Sequence, residues 1–262
     1  MDTVHQIREM APGIGCTKLW LMTRQIYREQ KMPGRDAFFG IMRTFGLTQK
    51  RPKPRRTTNS NHRFHKYKNL IRGYVPMAPN RLWVSDITYI DMDSGCCYLH
   101  LVTDAYSRKI VGWCLSPTLE SRYTLQALRM AIRQAHGHDL SQLIHHSDRG
   151  VQYCCNAYVN ELSSQNISIS MTEDYKPTDN AIAERVNGTI KTEVVYREQR
   201  YRNLAEAKER LEGYIAFYNE RRPHCSIGMK VPSEVHNETG EQKKMWKSRV
   251  VSNPEVNETS TM

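Results

Sequence analysis

No stretch of this 262-residue chain holds 18 consecutive apolar residues, so no membrane-spanning helix and no membrane partner are expected. The N-terminus lacks the charged-then-apolar pattern of a secretory signal. Cysteine is sparse and odd in number: seven, at 16, 96, 97, 114, 154, 155 and 225. The adjacent pairs Cys96-Cys97 and Cys154-Cys155 lack the two-residue gap of a structural zinc site, and no histidine pair stands at ligand spacing from them. Reduced thiols in a cytoplasmic protein are the expectation. Internal repeats and low-complexity tracts are absent. Acidic residues are missing altogether from residues 51–72, which hold eight Lys/Arg.

That local absence dominates the charge distribution. Residues 1–80 carry 16 Lys/Arg against 4 Asp/Glu, or +12, whereas residues 81–262 carry 22 against 23, or −1, so the net +11 lies wholly in the first third. Within the acid-free run, His62, Phe64, His65 and Tyr67 interleave with the cations. A basic, aromatic-studded segment of this kind is either a solvated linker or an arm that tracks phosphates, with Arg51, Lys53, Arg55 and Arg56 as its first DNA-contact candidates.

Three acids stand apart from the rest. Asp86 interrupts the apolar run Trp83-Val84-Ser85-Asp86-Ile87-Thr88-Tyr89, where an isolated carboxylate costs several kcal/mol unless paired or metal-bound. Asp148 follows a short apolar run, in His145-His146-Ser147-Asp148-Arg149-Gly150, and Glu184 lies in a helix-patterned run opened by Asp179. Two strand-borne carboxylates and one helix-borne carboxylate can hold two divalent metals for phosphodiester chemistry. Mg²⁺ suits such a set, because it takes oxygen ligands and keeps positions open for substrate phosphate, and Mn²⁺ can substitute. Asp91, Asp93 and Asp104, near strand ends, are better explained as turn caps, and Glu173, Asp174 and Glu193 as solvated. Lys191, seven residues after Glu184, falls two turns along on the same helix face, while Arg185 points off it. His146 and Asn180 either orient ligands and water or simply pack.

The element pattern divides the chain. Helices are expected over 14–30 and 35–45, around a turn at Lys31-Met32-Pro33-Gly34, as a helix-turn-helix-like DNA-binding unit over 1–50 or else a hairpin packed on the core. A basic arm over 51–80 follows. Strands over Leu82–Ile90, Cys97–Thr103 and Lys109–Leu115 form a meander, then come a helix over 119–136, a strand over 143–145, a helix over 156–164 and a strand over 167–171. Helices over 179–198, capped by Asp179, and 204–219 complete a domain spanning 81–236, and a polar tail covers 237–262.

Five ordered motifs carry a resemblance. These are the Asp86 run, Asp104-Ala105-Tyr106-Ser107-Arg108-Lys109-Ile110-Val111-Gly112-Trp113, His146 through Tyr153, Asp179-Asn180-Ala181 through Glu184 to Lys191, and Tyr218-Asn219-Glu220-Arg221-Arg222-Pro223-His224 followed by Pro232. With Pro12-Gly13-Ile14-Gly15 they span roughly residues 10–235. Together with the 35 residues between Asp148 and Glu184, they resemble the B-frame transposases of the IS-three insertion-sequence family, whose core is similar to retroviral integrases. The resemblance implies an α/β, ribonuclease-H-like catalytic core that cuts DNA at element ends and transfers the 3′-OH. It implies Asp86 bridging two metals, Asp148 and Glu184 each holding one, and Lys191 on a phosphate. It also implies terminal-repeat and target DNA as partners, a homo-oligomer on DNA, an upstream A-frame product separate or fused by frameshift, and a bacterial, nucleoid-associated location. Val186-Asn187-Gly188 and Cys225-Ser226-Ile227-Gly228 depart from the family pattern. A nuclease without strand transfer and a non-catalytic DNA-binding regulator are the competing functions.

Overall fold

The computed structural model describes residues 1–27, 32–49, 63–173, 180–197 and 200–242. Three helices come first: α1 (Asp2–Met10), α2 (Cys16–Tyr27) and α3 (Arg35–Thr44). Strands β1 (Leu82–Met92), β2 (Gly95–Asp104) and β3 (Ile110–Ser116) precede α4 (Ser121–Gln134). Then follow β4 (Ile144–Ser147), α5 (Val151–Cys154), α6 (Asn156–Ser164) and β5 (Ser168–Met171). Helix α7 (Ala181–Ile190) runs directly into a π-helical turn (Lys191–Val195), and α8 (Leu204–Glu220), a 3₁₀ turn (Cys225–Ile227) and α9 (Pro232–Val235) close the described chain.

The five strands form one mixed sheet in the order β3-β2-β1-β4-β5. β1, β2 and β3 are the expected antiparallel meander, Trp83 facing Asp104 and Leu101 facing Trp113, whereas β1–β4 and β4–β5 are parallel. Parallel neighbours need crossover connections, and α4 and the α5–α6 pair supply them. Their apolar faces bury Ala127, Leu128, Ala131, Tyr158 and Leu162 against Trp83, Val102 and Val111. The other sheet face packs Ile90, Leu99 and Leu101 against Val186, Ile190, Leu211 and Tyr214 of α7 and α8. This is the α/β ribonuclease-H-like architecture expected.

Helix α1 was not anticipated from sequence. Val4 and Ile7 on α1 are buried in the same cluster as Leu19 and Met22 of α2, Phe38 and Met42 of α3, and the α7–α8 face. The division at residue 50 therefore separates no hydrophobic core. Asp104 caps the β2–β3 turn as expected of a turn acid: fully buried, it accepts from the Asn80 N–H (2.8 Å) and from the Ser107 N–H and hydroxyl (both 2.8 Å). Its cap settles the hairpin that delivers β3 to the sheet edge.

The basic segment splits in two. Arg51, Lys53, Arg55 and Arg56 lie outside the described residues, as do Asp174, Asp179 and residues 243–262 of the tail. From Arg63 the chain is laid along the outer edge of β5: Met171 N–H donates to the Lys68 carbonyl (3.2 Å), Leu70 N–H to the Ser170 hydroxyl (2.9 Å) and Asn69 N–H to Glu173 (2.9 Å). Glu173, expected to be solvated, is thus an anchor for this strap and also pairs with Arg72. The strap covers a sheet edge that would otherwise leave its ladder groups unpaired.

Gly112 shows how tightly α4 lies on the sheet. A Cβ there would stand 2.1 Å from the Ala127 carbonyl oxygen and 2.9 Å from the Ala131 nitrogen. Gly112→Ala should therefore destabilise the fold by about 2–3 kcal/mol through overpacking. Chemical denaturation measures this, and a loss below about 1 kcal/mol would show that α4 can ride outward.

Candidate active site

Asp86 sits in mid-β1, one residue past Ser85, and Asp148 immediately follows the C-terminal end of parallel neighbour β4. Pairing of Val84 with His146 brings the two strand segments level, so that the sheet itself carries both carboxylates to one place. Glu184 arrives from the first turn of α7, exposed at the rim.

The Asp86 carboxyl is pushed up to about 7, first by burial and then by Asp148, with Glu184 adding a smaller push. Two donors oppose the shift: the Asn187 side-chain amide on Oδ2 (2.8 Å) and the Ile87 N–H on Oδ1 (2.9 Å). Asp148 is held through Oδ1 by the Gly150 N–H at 2.9 Å. A Cβ on residue 150 would stand 2.9 Å from that same oxygen, so the loop passes close to the acid. Among the described residues, no three His, Cys, Asp or Glu side chains cluster tightly enough to hold one metal ion. Asp86 and Asp148 are near enough for Asp148 to raise the Asp86 carboxyl, and Glu184 stands exposed at the edge.

Lys191 lies half-buried, one residue past the end of α7. Burial lowers its pKa, while the nearby carboxylates of Asp86 and Asp91 work the other way. Asn180 donates to the Ser85 carbonyl (3.0 Å), tying the start of α7 to the residue before Asp86. His146 is buried with Nδ1 2.8 Å from the Ser170 hydroxyl, bracing β4 against β5. Below Asp86, His145 Nε2 lies 2.8 Å from Ser85 Oγ and 2.9 Å from Tyr158 Oη. Arg185 is exposed.

Two corrections follow. Glu193, expected to be solvated, is buried on the inner side of the π turn and paired with Arg222, 29 residues later, at 2.7 Å. Asn187, read only as a departure from a bulkier residue, is the side chain that holds Asp86. Its three-residue spacing from Glu184 was the available signal, since such positions share a helix face. Its Oδ1 is buried without a hydrogen-bond partner among the described residues, as is the Tyr153 hydroxyl, which feels both Asp148 and Asp86.

The Integrase core domain family matches residues 76–177, and a second Integrase core domain family matches residues 165–232. A transposase of insertion sequence element IS986/IS6110 from Mycobacterium tuberculosis is 34% identical over 226 residues, covering 84% of this chain and 80% of the relative. The chain belongs to the insertion-sequence transposases with an integrase core domain. The transposase of element IS629 from Shigella sonnei is 32% identical over 223 residues, covering 84% of this chain and 72% of its own length. Among solved structures, the simian T-cell lymphotropic virus intasome in complex with PP2A regulatory subunit B56 gamma has a TM-score of 0.52 at 18% identity. That likeness covers 95% of this chain and 77% of the other, and it speaks for the fold. Membership makes this transposase a polynucleotidyl transferase of DNA transposition, with the aspartates and glutamate as candidates for its catalytic acids.

The repulsion at the centre has a measurable consequence. A carboxyl raised from 3.8 to about 7 keeps its proton better folded than unfolded. The fold is therefore least penalised below about pH 4 and fully penalised above about pH 7, by up to about 4 kcal/mol before solvent screening at this partly exposed residue. Asp86→Asn in chelator should then raise the melting temperature by several degrees at pH 8 and leave it unchanged at pH 4. Equal melting at both pH values would contradict this charge conflict.

Proposed function

We propose that this transposase cuts one DNA strand at an insertion-element end and joins the freed 3′-OH to another phosphate, using Asp86, Asp148 and Glu184 as its catalytic acids. The observation that carries the reading is the Asp86–Asp148 pair, borne on parallel neighbours β1 and β4, with Asp148 raising the Asp86 carboxyl and Glu184 on α7 adding a smaller push. In the first step water attacks the phosphorus and the 3′ oxygen departs. In the second, that 3′-OH attacks a target phosphate, forming one P–O bond as another breaks.

Asp86, Asp148 and Glu184 would hold the divalent ions, Mg²⁺ or Mn²⁺ in its place. The donor types fit: every donor is a hard oxygen, the central carboxyl is raised first by burial and then by Asp148, a repulsion that added positive charge would relieve, and the Asn187 oxygen is an additional buried acceptor. Bound there, the ions would polarise the phosphate and lower the pKa of the attacking water. The chain's own groups do the remaining work. Asn187 and the Ile87 N–H fix the rotamer of Asp86, and the Gly150 N–H fixes Asp148. Lys191 offers its ammonium to a phosphate next to the scissile bond.

DNA is held, on this reading, by the arm from Arg51 through Arg72. The α2–α3 hairpin, where Arg35 and Arg43 are exposed, is the second contact. The working form would be a homo-oligomer on terminal-repeat and target DNA, with an upstream A-frame product as partner, in the bacterial cytoplasm at the nucleoid.

Asp148→Asn removes an acid but no phosphate contact, so Mg²⁺-dependent cleavage of the element's own terminal repeat should fall at least a thousandfold while duplex affinity stays within about twofold. Undiminished cleavage sinks the assignment. Replacing Arg51, Lys53, Arg55 and Arg56 by alanine should flatten the slope of log K against log salt by up to about 3–4, since each duplex phosphate contact contributes about 0.9. A binding titration at several salt concentrations decides, an unaltered slope meaning that these residues form a solvated linker.

A further inference from the structure

The π turn after α7 carries side chains on two opposite faces. Lys191 and Glu193 are two residues apart, close to half a turn. Lys191 is half-buried within electrostatic reach of Asp86 and Asp91, and Glu193 is buried on the inner side. The turn closes with the Tyr196 N–H donating to the Lys191 carbonyl at 2.8 Å, a five-residue span instead of the usual four. π turns inside helices are rare and persist where surroundings over-determine them.

Within this turn Val194 packs into the core, and the buried polar contacts meet at Glu193. Arg222 donates Nε to Oε2 at 2.8 Å and Nη2 to Oε1 at 2.7 Å, a forked pair 5% and 6% exposed. The Tyr214 hydroxyl donates to Oε2 at 2.9 Å. The Gly13 N–H donates to the Glu193 carbonyl at 2.7 Å, and a Cβ at residue 13 would stand 2.2 Å from the Thr192 carbonyl oxygen. Arg222 is itself placed by its neighbours. Three residues earlier, Asn219 accepts from the Ile110 N–H (2.9 Å) and donates to the Ile110 carbonyl (3.0 Å), fastening the end of α8 to edge strand β3. His224 lies 2.9 Å from Arg222 Nη1.

We propose that Glu193 and Arg222 are positioning residues: their buried pair pins the inner face of the π turn and so aims Lys191, on its outer face, at the DNA phosphate beside Asp86. The inference rests on the reading of Lys191 as a phosphate contact. It gives the Tyr218–His224 run a task in catalysis, and it makes the loop at Pro12-Gly13 a second support of the same turn.

The test is a double-mutant cycle on the full chain, with binding to a fluorescein-labelled 30-base-pair duplex read by anisotropy across a salt series. Arg222→Lys keeps the charge and loses the fork. It should raise Kd about threefold to tenfold and lower the salt slope by about one, as loss of a single phosphate contact does. In a Lys191→Ala background the same change should alter Kd by less than twofold, because the contact through which it acts is already gone. A change that multiplies with Lys191→Ala, or no change in the wild-type background, overturns the proposal. If Lys191→Ala alone binds with unaltered affinity and slope, the phosphate reading has failed and takes the proposal with it, an outcome distinct from multiplying effects. Tyr214→Phe, which removes only the hydroxyl from Glu193, gives the same cycle should Arg222→Lys not fold.

Discussion

A carboxylate held inside a sheet beside another carboxylate is a conflict that a protein core does not tolerate without local support. Asp86 is that conflict in this molecule, and its immediate surroundings answer it. Both of its oxygens accept hydrogen bonds, from a helix amide and from the strand's next N–H. The acid that worsens its position, Asp148, is held in turn by the Gly150 N–H. The strain is uncommitted electrostatic energy. A cation entering between the two acids would be attracted by it, so the same repulsion that burdens the bare fold favours charge neutralisation at the moment of function.

Everything that positions α7 then matters to the chemistry. The helix approaches β1 through Asn180 and Asn187, presents Glu184 at the rim and Lys191 one turn beyond Asn187, and ends in a π turn gripped from behind. That grip draws on distant parts of the chain: Gly13 from the loop after α1, Tyr214 and Arg222 from α8 and its exit. A buried ion pair of this kind adds little net stability over an apolar substitute, yet breaking it leaves an uncompensated charge, so its value lies in specifying one arrangement.

What was legible in the sequence was whatever rests on local pattern. The apolar run around Asp86 announced both a strand and an acid out of place, and the helical pattern over 119–136 announced α4. What was hidden depends on partners remote in sequence. Glu193 looks like any polar helix residue until Arg222, 29 positions later, is folded against it. Helix α1 carries only Val4 and Ile7 as buried aliphatic anchors, too few for a convincing period, and it is stabilised by a core assembled from residues up to 218. Helix α5 is four residues long, below the length at which periodicity means anything. The π turn has no sequence signature, since a backbone that departs from 3.6 residues per turn does so because tertiary contacts require it.

The N-terminal helices show why such remote contacts bear on function. Read by charge alone, residues 1–50 are a DNA-binding appendage. Their apolar faces, however, are continuous with the core behind α7, and Gly13 touches the very turn that displays Lys191. A DNA duplex engaging the exposed cations of α3 would therefore contact a body that shares its buried core with α7. On the proposed reading, DNA binding through α3 and the acids beside α7 would be coupled through this shared packing.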